Sequence, residues 1–226
     1  MRFSKLTIVL TVLAAAVIGA RGFDFEAVRG DLFAGAAGDA AALQRAIAAT
    51  ERALAEDPRN AQALSLHGFG SLLSGGQAHQ RGDTGRGNEL MQRGLGEMNE
   101  AVQLAPGDGL VRVLRGILLQ QVSRQLPPAI QAPMLENART DFQFLYDAQA
   151  GFLDELGTHR LGELLQALGD IHSRQGRTAD AERYYTTIRQ KLPGTEYDRR
   201  AGEWLRNKQP LPGDRTTCIG CHVHSR

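Results

Sequence analysis

Three glycines recur at matched places in this chain, and they restrict its fold more than any other feature. Gly68, Gly116 and Gly169 each sit in a stretch where apolar residues return every three or four positions, the spacing of one helix face. At each of them a side chain would hold paired helices apart. Matching turns separate the stretches, Asp57-Pro58-Arg59-Asn60 and Ala105-Pro106-Gly107-Asp108. In each turn the proline blocks helix continuation and the closing Asn or Asp caps the next helix. Repetition of this kind predicts an all-α chain of helices taken in pairs.

The clearest unit spans residues 161–193 and carries Leu165, Leu168, Gly169, His172, Gly176, Ala181, Tyr185, Ile188 and Pro193. It resembles the tetratricopeptide repeat, with Leu165 in place of an aromatic and His172 in place of a tyrosine. The same register falls on residues 60–106, with Leu64, His67 and Gly68 on a first helix and Gly94, Met98 and Ala101 on a second. It falls again from Gly109, with Arg112, Arg115, Gly116 and Leu119, then Ala138, Phe142 and Leu145. An earliest unit ends with Ala46, Thr50, Ala53 and Pro58, and its first helix near residues 25–35 is poorly specified. The resemblance implies antiparallel helical hairpins stacked into a short superhelix over residues 23–207, closed by a helix at 195–207. Residues 75–89 read as a Gly-rich polar insertion and 126–133 as a proline-rich one, both between paired helices.

With 26 Lys+Arg against 25 Asp+Glu and no long basic run, nucleic acid is not an expected partner, because phosphate binding needs a concentrated positive field. Aromatics reach only 6%, and small residues take their place. Residues 1–22 resemble an export signal: Arg2 and Lys5, then an apolar stretch over 6–18, then Ala20 and Gly22 near a cleavage point. The uncharged segment is short for a membrane-spanning helix, so membrane contact is expected only through an uncleaved N-terminal anchor. No cysteine comes directly after the apolar stretch, which excludes a lipoprotein anchor. The expected location is the bacterial periplasm.

At the other end, a linker at 208–217 leads into Cys218-Ile219-Gly220-Cys221-His222, which holds the only two cysteines. Thiols three apart can each add to one vinyl group of a haem, while the adjoining imidazole reaches the iron. Those five residues resemble the haem-attachment site of c-type cytochromes. The resemblance implies one covalent haem c, held by Cys218 and Cys221, with His222 as the proximal ligand. A disulfide between the cysteines, or zinc on Cys218, Cys221, His222 and His224, remains an alternative. The distal ligand is open among His67, His79, His159, His172, Met91, Met98, Met134 and no protein ligand at all. Only Val223, His224, Ser225 and Arg226 come after His222, too few to bury a porphyrin. Its faces are therefore expected to pack on the repeat body, another subunit or a partner, at a low reduction potential if exposed.

The repeat resemblance also implies a groove for a partner. It assigns Phe69, Leu72 and Leu73 from one first helix, then Leu110, Val113, Ile117, Gln120 and Gln121 from the next. The last contributes Glu163, Gln166, Asp170, Ser173 and Arg174. Such a groove could hold a peptide segment or one haem face, or residues 75–89 could fold back and cover it. The leading expectation is an exported monohaem protein for electron transfer or redox-partner docking, with redox proteins or an envelope complex as partners and no enzyme activity. The alternatives are a non-redox envelope scaffold whose cysteines form a disulfide or bind metal, and a haem enzyme or gas sensor.

Overall fold

A computed structural model describes residues 23–213. Among them, nine α-helices and two short 3-10 segments account for the regular structure, with no strand. The helices are α1 (Phe25–Ala36), α2 (Ala40–Glu56), α3 (Ala61–Gln80), α4 (Thr84–Leu104), α5 (Gly109–Val122), α6 (Pro128–Gln149), α7 (Gly157–Arg174), α8 (Thr178–Lys191) and α9 (Glu196–Asn207). The chain is all-α.

Capping explains where most helices begin. The side chains of Asp24, Asp39, Asn60, Asp83, Asp108 and Thr195 each accept a hydrogen bond from a backbone N–H in the first turn of the adjoining helix. Those donors have no partner within the helix, and such a cap contributes about 1 kcal/mol. Successive helices pack in pairs, α1 with α2, α3 with α4, α5 with α6 and α7 with α8. Each pair lies against the next, and α9 closes the stack on α7 and α8.

The recurrent glycines lie where paired helices touch. A Cβ on Gly68 would stand 2.7 Å from the Gly94 carbonyl oxygen, and one on Gly94 would stand 2.5 Å from that of Gly68. On Gly116 and Gly169 it would meet the rings of Phe142 and Tyr185 at 3.0 Å. The first pair of contacts is backbone on backbone and leaves no room to adjust.

The stretch 75–89 departs from the expected loop. Helix α3 continues to Gln80, α4 starts at Thr84, and only residues 81–83 turn, with Gly82 at φ 84°. Two of its glycines, Gly75 and Gly87, are seats for the facing helix. Met91 lies over Gly75, its Cγ 2.9 Å from where a Cβ would stand, and the His79 ring fills the space beside Gly87. In the proline-rich stretch, Pro127 precedes α6 and Pro128 occupies its first turn, where a missing N–H costs nothing. Pro133 lies inside the helix.

Two main cores result. The N-terminal one joins α1 to α5 around Leu32, Leu43, Leu66 and Met98, with Phe69 set edge-on to Phe33 at 5.9 Å between centroids. The C-terminal one gathers Leu165, Leu168, Ile171, Tyr185 and Trp204. The fully buried Asp141 accepts hydrogen bonds from Arg112 and Arg115, an arrangement that keeps its charge paired. After α9 the chain reverses at Lys208, a non-glycine at φ 53°. Its ammonium lies 4.9 Å from the centre of the Trp204 ring and 2.8 Å from Glu182. The segment beyond is no free linker at its start, because Leu211 is buried in the C-terminal core.

Candidate functional site

Helix α5 presents one stripe at helical spacing, Leu110, Val113, Ile117, Gln120 and then Arg124 just past the helix end. Helix α7 presents another, Arg160, Glu163, Ala167 and Asp170. The two stripes face each other across a cavity of about 400 Å³. Phe142 and Leu145 of α6, Tyr185 of α8 and Arg200 of α9 complete its walls. Leu110, Val113, Ile117, Phe142 and Leu145 make an apolar wall, and Leu110 stays 39% exposed.

The C-terminal ends of α5 and α7 form the polar end. Asp170 Oδ2 accepts from Gln120 Nε2 at 2.8 Å and from Arg124 Nη2 at 2.7 Å. Arg174 Nη1 stands 3.7 Å from the same oxygen and donates to the Gln120 carbonyl at 3.0 Å. Burial pushes the Arg174 guanidinium below its ordinary value, while Asp170 opposes that shift. Burial also pushes the Tyr185 phenol well above its ordinary range, with the Asp170 charge adding to the effect. The phenol therefore stays protonated and can act as a donor.

Four polar atoms here are buried with no hydrogen-bond partner: Tyr185 Oη, Gln166 Oε1, Asp170 Oδ1 and Arg124 Nε. Buried polar atoms are nearly always bonded, and a group that is not costs about 1–3 kcal/mol. Their gathering on the walls of one cavity marks it as the candidate site.

The end of the described chain touches this site. Arg124 Nη1 donates to the Leu211 carbonyl at 3.2 Å, and Arg200 Nη2 to the Pro212 carbonyl at 3.1 Å. Cys218, Cys221, His222 and the expected export signal at 1–22 lie outside the described residues.

Of the groove residues expected from sequence, Leu110, Val113, Ile117, Gln120, Gln121, Glu163, Gln166 and Asp170 are brought together on the cavity. Ser173 lies behind it, its Oγ accepting from Trp204 Nε1 at 2.7 Å. Phe69, Leu72 and Leu73 do not join them. Phe69 and Leu72 are buried in the N-terminal core and Leu73 packs at its edge: Phe69 lies against Phe33 of α1 and Leu72 against Gly94 of α4. Arg124, Tyr185 and Arg200 are additions that the repeat pattern does not supply. Arg124 extends the stripe of Gln120 by one turn and could have been found by spacing; the other two come from different helices.

No histidine or methionine considered as a distal ligand borders the cavity. His67 Nδ1 is 2.8 Å from Glu97, His79 packs on Gly87, and His159 Nδ1 is 3.1 Å from the Tyr197 hydroxyl. His172 stacks on Tyr184 at 5.5 Å. Met98 is buried in the N-terminal core; Met91 packs against that core and Met134 against the C-terminal one. Among the described residues no cluster of three His, Cys, Asp or Glu is arranged to hold a metal, and no helix is long and apolar enough to cross a membrane.

No protein-family model matches this chain, and no curated protein or solved structure matches it.

Proposed function

We propose that this chain is an exported, monohaem electron carrier of the bacterial periplasm, with tetratricopeptide-like hairpins stacked into a superhelical platform for a redox partner protein. One observation carries the reading: Cys218, Cys221 and His222 stand in haem-attachment spacing, and the chain has no other thiol. In attachment each thiol adds across one vinyl double bond of the macrocycle. Sulfur bonds to the inner carbon and hydrogen goes to the outer one, so no atom is lost and no electron changes hands. His222 would hold the iron through its imidazole. When bound, the haem supplies a one-electron ferric/ferrous couple, filled from one redox protein and emptied to another.

Three features support the platform part of this reading. Helices pair around glycines at matched positions, each pair lies on the next, and α9 covers the last pair. The cavity bordered by Arg124 and Arg200, which hold the carbonyls of Leu211 and Pro212, combines an apolar wall with unpaired polar atoms and arginines, a mixture suited to a macrocycle.

The test is to express the full chain in a bacterium that carries thioether-attachment machinery and to weigh the purified protein. The expected mass is the processed polypeptide plus one haem, with a Soret band that survives acid-acetone extraction. A bare polypeptide mass, or one lighter by a disulfide's hydrogens, would overturn the electron-carrier reading in favour of a scaffold.

A further inference from the structure

We propose that the cavity between α5 and α7 is the seat of the chain's own C-terminal segment, residues 214–226, and that its apolar wall takes one edge of the haem which that segment carries. This rests on the haem reading above and adds where the group sits.

The first argument is reach. The described chain ends at Gly213, where a Cβ would stand 3.1 Å from Arg124 Cδ. The preceding carbonyls of Leu211 and Pro212 are held by Arg124 and Arg200, and both arginines line the cavity. Cys218 is five residues beyond Gly213, a span of at most about 18 Å fully extended. A group on so short a tether meets a cavity bordered by Arg124 and Arg200 at an effective concentration of order millimolar. An untethered ligand must compete with that.

The second argument is chemical. A volume of about 400 Å³ is near the low end of the roughly 300–1,000 Å³ usual for small-molecule sites, so it suits an edge of a macrocycle. The wall formed by Leu110, Val113 and Ile117 matches the methyl-bearing, uncharged edge of a porphyrin. The polar end has different needs. Gln166 Oε1 and Asp170 Oδ1 are buried acceptors without a donor, and Arg124 Nε is a buried donor without an acceptor. An extended peptide offers both, N–H and C=O, along its backbone. A segment continuing from Gly213 into the cavity would bring backbone to the polar end first and its haem to the apolar wall beyond.

This seat gives the haem two properties. The described lining residues include no imidazole, thioether or thiol, so the cavity holds the group by its edge and adds no axial ligand. Excluding water from that edge disfavours the more charged ferric state, which raises the reduction potential above that of a fully exposed haem.

The experiment uses the full chain with haem attachment verified by mass. Val113→Trp fills the apolar wall; Leu110→Glu charges it at an exposed position that folding tolerates; Ile130→Trp, at an exposed site on α6, is the control. The expected wild-type result is induced circular dichroism in the Soret band that is independent of protein concentration. Both cavity variants lose most of it and shift to a lower midpoint potential, with far-ultraviolet ellipticity unchanged, while Ile130→Trp changes neither. Cavity variants that keep the wild-type Soret signal and potential with haem attached overturn the proposal and leave the electron-carrier reading standing. A Soret signal that fades on dilution assigns the cavity to the haem of a second copy, and overturns it equally. A bare polypeptide mass fails the haem reading itself, before any variant is compared.

Discussion

Arg124 joins the carbonyl of Leu211 to the carboxylate of Asp170, donating through Nη1 at 3.2 Å to the first and through Nη2 at 2.7 Å to the second. One side chain thereby ties the exit of α5, the body of α7 and the returning chain together. Replacing it by methionine keeps much of the stem packing but leaves Asp170 with only Gln120 and the more distant Arg174. We expect a loss of about 1–3 kcal/mol, the cost of orphaning a buried polar group, read as a lower melting temperature. Limited proteolysis should cut residues 208–213 faster in Arg124→Met than in the wild type.

Two truncations separate the tail's structural part from the rest. Ending the chain after Gly213 keeps Leu211 in the core and both arginine contacts. Ending it after Asn207 removes all three, and burial of a leucine side chain alone contributes roughly 1.5–3 kcal/mol. Chemical denaturation should find the shorter truncation product less stable than the longer one by about that much.

Gly94 and Gly96 stand two residues apart on α4 and should respond oppositely to alanine. A Cβ on Gly94 meets the Gly68 carbonyl oxygen at 2.5 Å, while one on Gly96 meets nothing within 4 Å. Helix propensity favours alanine at both by up to about 1 kcal/mol. At Gly96 that gain should appear as added stability. At Gly94 overpacking against backbone, typically about 1–3 kcal/mol, should reverse the sign, and thermal melts of the two variants would measure the split.

His172 should make stability depend on pH. Burial pushes its imidazole below the ordinary value, with Arg177, Arg139 and Arg183 adding to the effect and Asp180 opposing it. Neither ring nitrogen has a hydrogen-bond partner. The fold thus favours the neutral ring, whereas the unfolded chain takes up a proton near pH 6.5. Its contribution is whole above about pH 6.5 and is lost as pH falls through the lower, folded value. His172→Phe should flatten the dependence between roughly pH 7.5 and 5 and raise stability at neutral pH, measured by urea midpoints across that range.

The helical class was legible because periodicity, caps and turns agreed. Asn60 and Asp108 cap helices where the turns place them, and residues 195–207 form Thr195 with α9. The stretch 75–89 reads as a loop because glycine and polar residues compose both a loose loop and a close helix crossing. Only the facing Met91 and His79 distinguish the two. For the site, Leu110, Val113 and Ile117 were legible as a stripe on one helix. Phe69 and Leu72 fit an equally good stripe, but which helix covers a stripe is set by tertiary packing, and here α1 meets Phe69 while α4 meets Leu72. Tyr185 and Arg200 reach the cavity from two further helices, which no single-helix pattern joins.

Trp204 is the chain's one tryptophan, sealed against Tyr185 at 4.7 Å and bonded to Ser173. Indole emission therefore listens to one half of the molecule. Set beside far-ultraviolet ellipticity, which averages over every helix, it turns an ordinary melting curve into a gauge of whether both halves let go in a single step.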